Sequence, residues 1–329
     1  MNHTLVRCCA ALLLLALGLF WHKPAEAAPV SCSASMSTLD FGDIDTQANQ
    51  AFTSSGTLTY SCTNNSNNNY GVAICLSIGE PNFGQTNPRQ MQSGANKLNF
   101  QLYQDAAYSQ VWGSQILPTA GAPLLVPVLI PGKGSIPPTG ITVYGKVLAG
   151  QTATPPGLYT DQYGAVDLVI TTNLNKDGDP PKACGISTFS FFDSGFIVRA
   201  NVTRNCNVWA TTLDFGTFGL LNSNITSNSS PISVQCSRGT PYQIGLDAGS
   251  NGNGDINARK MVRGANSITY QLYRDSAMTQ VWGNTLNTNT VAGTGNGIPV
   301  NIPVYAEVPV QTTPPAGTYQ DTVVVSVTY

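Results

Sequence analysis

The sequence predicts an all-β protein made of two tandem β-sandwich domains. Three observations carry the expectation: short strand patterns without a helical moment, a long internal repeat, and cysteines that follow that repeat.

Residues 1–27 read as a secretory signal. Arg7 supplies a positive start, Ala10 to Phe20 an apolar core, and Ala25-Glu26-Ala27 a small-residue cleavage site ahead of Ala28. The apolar core is too short for an ordinary membrane-spanning helix. Cys8 and Cys9 leave with the signal, so six cysteines remain in an exported chain: Cys32, Cys62, Cys75, Cys184, Cys206 and Cys236. An even count in an oxidising compartment favours disulfides over metal or redox chemistry.

The strands are short, β-branched or aromatic. Thr57 to Cys62, Ile141 to Tyr144, Val166 to Thr171, Ile232 to Cys236 and Val323 to Tyr329 fit this description, with Gly, Pro and Asn clusters between them. Such spacing without helices indicates a β-sandwich.

The repeat is direct. Residues 87–113 align without a gap to 257–283, with 15 of 27 positions identical. Upstream, Leu39-Asp40-Phe41-Gly42 matches Leu213-Asp214-Phe215-Gly216. Downstream, Pro155 to Asp161 corresponds to Pro314 to Asp321. This is domain duplication, and the expected division is 28–195 and 196–329.

Cys32 to Cys62 and Cys206 to Cys236 both span 30 residues at equivalent positions, which makes them the natural pairs. Each bridge stabilises by about 3–4 kcal/mol on the chain-entropy account. Cys75 and Cys184 have no counterpart in the second copy and pair by elimination.

The copies differ most between Trp-Gly and the following Tyr. Trp112 to Tyr144 is 32 residues and Trp282 to Tyr305 is 23. The first copy therefore carries an apolar, proline-bounded stretch, Ala122 to Pro131, where the second is polar and glycine-rich. A loop of this kind suits a surface that buries itself in something else. Leu124, Leu125, Val126, Val128, Leu129 and Ile130 are its candidate contacts, with Ile116, Leu117 and Phe83 as weaker ones. The rival reading is a strand, which the prolines restrict to a sheet edge.

Little in the chain suggests catalysis. His3 and His22 both lie in the signal, so the mature chain has no histidine for a nucleophile–base pair or a His-containing zinc site. Asp105 with Asp275, and Asp161 with Asp321, recur at equivalent positions and read as structural. Trp112 and Trp282 read as packing, and Arg89 and Arg259 as supports. Asp247 to Asp255 lacks the spacing of a calcium loop and reads as a turn. No enzyme activity, cofactor or metal is expected. Without the signal's Arg7, Lys23 and Glu26 the chain has 13 basic and 16 acidic residues, a net charge near −3, which gives no reason to expect nucleic acid.

These residues together resemble the spore coat protein U domain family, the pilins of archaic (Csu-type) chaperone–usher pili. The resemblance rests on the first Cys, Leu-Asp-Phe-Gly, the second Cys, the Arg-x-Met to Trp-Gly block, and the closing Pro-Pro-x-Gly segment, found twice. It implies immunoglobulin-like sandwiches that lack a last strand and are completed by an extension of a neighbouring subunit. It further implies a periplasmic chaperone, an outer-membrane usher and an adjacent pilin as partners. A two-domain member looks like a tip adhesin, displayed at the cell surface, whose first domain holds an abiotic or host surface through apolar loops and supports biofilm formation. The alternatives are a structural pilin or coat component without receptor binding, or a secreted carbohydrate-binding module.

Three expectations follow from that resemblance. Four residues before Cys32 span about 13 Å, too short to complete a neighbour. Phe196, Val198, Ala200 and Val202 alternate as an internal donor strand that completes the first domain, with Thr188 to Phe192 as a rival. Val323, Val325, Val327 and Tyr329 form an open-edge strand in a second domain that lacks its last strand.

Overall fold

The computed structural model describes residues 28–80, 86–116, 121–228 and 230–329. The expected signal, Phe83 and Leu117 lie outside them. The first domain holds β1 (Val30–Met36), β2 (Leu39–Ile44), β3 (Phe52–Asn64), β4 (Tyr70–Ile78), β5 (Arg89–Ser93), β6 (Asn96–Tyr103), β7 (Leu124–Ile130), β8 (Ser135–Val147), β9 (Gly157–Tyr163), β10 (Leu168–Lys176), β11 (Thr188–Phe191) and β12 (Phe196–Val202). They form one sheet in the order β1-β3-β8-β6-β5-β9-β12-β2 and a facing sheet β11-β10-β4-β7. Leu58, Ile74, Leu76, Leu98, Phe100 and Trp112 fill the core between them.

Alternation explains which face each strand buries. In β12 every second residue is buried, from Phe196 through Val198 and Ala200 to Val202. Strand β4 is buried along almost its whole length because the segment after β10 crosses its outer face. The Cys75–Cys184 disulfide ties that segment down, and Asn173 Nδ2 donates to Ala183 O at 3.1 Å. Gly71 is required there, since a Cβ would lie 2.4 Å from the Asp179 backbone.

The second domain holds β13 (Cys206–Ala210), β14 (Ile225–Ser227), β15 (Ile232–Cys236), β16 (Pro241–Leu246), β17 (Lys260–Arg263), β18 (Asn266–Thr269), β19 (Gln271–Tyr273), β20 (Val291–Thr294), β21 (Val300–Ile302), β22 (Tyr305–Val308) and β23 (Val325–Thr328). Its own core gathers Ile232, Val234, Ile244, Leu246, Ile268 and Trp282. Cys32 sits opposite Cys62 and Cys206 opposite Cys236 in matching antiparallel pairs, each bridged.

The recurring residues keep their jobs in both copies. Trp112 Nε1 donates to Leu76 O and Trp282 Nε1 to Ile244 O, each at 2.9 Å. Asp105 accepts from the Ser109 and Gln110 amides, as Asp275 does from Thr279 and Gln280. Asp247 caps the turn expected at 247–255 by accepting from Gly249 N at 2.9 Å. The domains meet where Gln235 Nε2 donates to Gln47 Oε1 at 2.8 Å and Asn205 Nδ2 to Asp45 Oδ2 at 2.6 Å.

One sequence expectation needs correction. Leu124 to Ile130 is not a loop: it is β7, the edge strand beside β4, with Leu124 and Ile130 buried and Val126 and Val128 packed against the core. Pro127 is tolerated because, among the described residues, no strand pairs on the far side of β7. Strand β12, which follows the expected boundary at 195/196, packs in the first core.

Asp161, expected to be structural, lies inside the sandwich. It is fully buried, and neither carboxyl oxygen has a hydrogen-bond partner. Burial pushes its pKa up to about 7, and the neighbouring Tyr163 and Arg89 oppose that shift without reversing it. A folded pKa above the unfolded value means that the fold favours the protonated acid. Stability therefore falls as pH rises from about 4 to about 7. Asp161→Asn should flatten this dependence and raise the melting temperature at pH 8 by at least about 3 °C. Melts at pH 4.5 and pH 8 check it, and an unchanged slope in the variant would refute it.

Candidate functional site

Strand β12 defines the site by the position it fills. It pairs antiparallel with β9, from Phe196 opposite Tyr163 to Val202 opposite Gly157, and parallel with β2. The Phe196 ring lies on Tyr163, 4.7 Å between centroids at 7°, with Trp112 at 6.4 Å. On its outer face Arg199 forms an ion pair with Asp40 at 2.7 Å, and Asn201 Nδ2 donates to Asp43 Oδ1 at 2.7 Å. One strand thus closes the backbone lane and covers the apolar floor. Its neighbour β11 sits separately, on the edge of the facing sheet beside β10. Both rival segments are strands, each serving a different sheet, and the chain crosses between sheets at Asp193 to Gly195.

The second domain has the same lane without the strand. Its walls are residues 213–218, equivalent to β2, and residues 317–323, equivalent to β9. Among the described residues no strand lies between them. The space is a cleft in two adjoining parts of about 620 and 520 Å³, sharing Leu213, Phe215, Met261 and Tyr319 in their walls. Leu39, Met91 and Tyr159 are fully buried in the first domain, whereas their counterparts Leu213, Met261 and Tyr319 are only half-buried. The same residues face the same place, and only the cover differs.

The expected open edge lies on this side. Val325 and Val327 stand in β23, which pairs with β16 on one side, and Val323 and Tyr329 flank it. The other edge of β23 has no paired strand among the described residues, where β10 carries β11. Unpaired backbone beside exposed apolar side chains is a template for an added strand.

Of a second feature the sequence reading named only Ile116. Phe189 (49 % exposed), Phe191 (46 %) and Ile116 (48 %) are exposed, as are Val166, in the turn that packs against β11, and Ile186, just before β11. Phe189 and Phe191 meet edge to face at 5.3 Å. Thr171 Oγ1 donates to Gln115 Oε1 at 2.5 Å, which brings Ile116 over the strand that pairs with β11. The Thr-Phe-Ser-Phe alternation was the available signal, but a two-residue period does not say which side faces water. Of the expected adhesive residues, Leu129 is also exposed, on the far edge in β7.

The lane difference has a direct consequence. Backbone amides of residues 318–322 should exchange with deuterium at least about tenfold faster than those of residues 158–162. Equal protection in the two segments, measured by peptide-resolved exchange, counts against an open groove.

Comparison with known proteins agrees with this duplicated architecture. The chain matches Protein U of Myxococcus xanthus at 33 % identity over 145 residues, 40 % of this chain and 80 % of that protein. Among solved structures it superposes on the CsuC–CsuE chaperone–tip adhesion subunit complex of Acinetobacter baumannii archaic Csu pili. The TM-score is 0.52 at 17 % identity, over 91 % of this chain and all of the matched one. The CupB6 tip adhesin of Pseudomonas aeruginosa aligns over 92 % of this chain and 94 % of its own at 13 % identity, with a TM-score of 0.34. The Spore Coat Protein U domain model matches residues 24–165 and again residues 193–326, and the chain therefore belongs to the Spore Coat Protein U domain family, with two copies of the domain.

Proposed function

We propose that this protein is the tip adhesin of an archaic chaperone–usher pilus, joined to the fibre through its second domain. The observation that carries the reading is the pair of equivalent lanes, one filled by the chain's own β12 and one empty. A domain that is already complete has no place for a neighbour's strand. A domain with an open lane accepts one, from the adjacent pilin in the fibre and from a periplasmic chaperone before assembly. Passage through an outer-membrane usher then places the first domain at the fibre end, on the cell surface.

The self-completed domain is free to bind. Its apolar rim of Ile116, Val166, Ile186, Phe189 and Phe191 suits attachment to abiotic or host surfaces and hence biofilm formation. The groups that would hold a metal are not clustered among the described residues. The buried polar residues support the fold, so adhesion needs no chemistry beyond apolar burial.

Two measurements test the proposal. Immunogold labelling should find the chain at fibre ends; labelling along the shaft would instead favour a structural subunit. The double variant Phe189→Asp/Phe191→Asp should leave piliation intact while lowering adhesion to polystyrene by about tenfold or more. Unchanged adhesion by normally piliated cells excludes this rim as the binding surface.

A further inference from the structure

We infer that the second domain's groove selects its strand by a specific pattern: a side chain at least as large as Phe, then a Val-sized one, a basic residue facing outward, an Ala-sized one, and a final Val-sized one. The inference rests on the acceptor reading above and adds which strand is accepted and in which direction. The template is β12, which runs antiparallel to β9.

The floor transfers between copies almost unchanged. Leu39, Met91 and Tyr159 recur as Leu213, Met261 and Tyr319, and Trp112 recurs as Trp282. The two end sites are the exceptions: Ile44, beside Val202, is replaced by Phe218, and the first site changes as well. Phe196 lies on Tyr163 in the first domain, but Val323 stands at that position in the second. That site, beside Val323, therefore lacks the aromatic ring on which Phe196 packs, so a larger side chain is needed to fill it.

The small site is set by a pinned ring. Ala200 is buried directly opposite Tyr159, whose hydroxyl donates to Pro155 O at 2.8 Å. Tyr319 makes the same bond to Pro315 O at 2.8 Å. A ring held at its far end cannot swing aside for a larger neighbour, so overpacking there forces strain.

The outward basic residue has its acid waiting. Arg199 pairs with Asp40, which also accepts from Gly42 N at 2.9 Å. Asp214 occupies the equivalent place and accepts from Gly216 N at 2.8 Å. The second outward contact does not transfer, because Asp43 is replaced by Thr217. One charge, not two, is therefore read on the outer face.

The chain's own β12 carries Phe, Val, Arg, Ala and Val at these positions, so it serves as the probe. A synthetic peptide of residues 194–204 is titrated into the purified full-length mature chain, with binding read by calorimetry and located by protection of residues 318–322. It should bind. The Ala200→Leu peptide should bind at least about tenfold more weakly, and the Arg199→Glu peptide about two- to fivefold more weakly. The Asp214→Asn chain should lose the Arg-over-Glu preference while keeping the Ala-over-Leu one. Equal binding of all three peptides overturns the pattern but leaves the acceptor groove standing. Failure of every peptide to bind, including one of alternating valines, overturns the acceptor reading with it.

Discussion

A β-sandwich cannot leave a central lane vacant without exposing two kinds of surface together. One is the row of backbone N–H and C=O groups along the flanking strands; the other is the apolar floor beneath them. In the first domain β12 covers both, and burial of Leu39, Met91, Tyr159 and Tyr163 follows from its presence. In the second domain no strand among the described residues fills the lane between residues 213–218 and 317–323, and Leu213, Met261 and Tyr319 sit half-buried around a cleft. This one difference separates the roles of two otherwise repeated domains.

The duplication makes the molecule its own comparison. Trp112 and Trp282 hold the same carbonyl, Asp105 and Asp275 close the same turn, and Tyr159 and Tyr319 are anchored to the same proline carbonyl. Features that repeat belong to the fold. Features that do not repeat are the Cys75–Cys184 bridge, the extra length before β8, the strands β11 and β12, and the apolar rim. Polar supports diverge as well. Arg259 donates to the Leu246, Asp247 and Trp282 carbonyls, whereas Arg89 donates to Gly79 O and the Tyr163 hydroxyl and leaves Nε and Nη2 without partners. The completed domain thus carries an unevenly satisfied polar cluster, Arg89 with Asp161, directly beneath its inserted strand.

The linker is short and structured. Only Thr203 to Asn205 separate β12 from β13, and Asn205 already bonds to Asp45 of the first domain. Gly297 approaches the other domain so closely that a Cβ would lie 2.5 Å from Thr152 O, and its φ of +87° already favours glycine. The strand that completes the first domain therefore runs straight into the first strand of the second. This continuity couples the two domains through a single stretch of backbone.

By itself the sequence determined the duplication, the strand-rich class, the cysteine partners expected from equal spacing, and the alternation of Phe196, Val198, Ala200 and Val202. These are local or periodic properties, and a period of two or a fixed separation of 30 residues is visible without coordinates. Tertiary structure alone decided which face of each alternating segment met the core and which neighbour it joined. Leu124 to Ile130 could be read as an exposed loop because an edge strand and an apolar loop share composition, and the proline that argued against a strand is harmless where one edge is free. Phe189 and Phe191 were assigned to a possible donor, yet the crossing at Asp193 to Gly195 turned them outward on the other sheet. Asp161 read as structural, and only the closed sheet shows that its carboxyl is buried. Side-chain parity is written in the sequence, but its sign is set by which strand lies alongside.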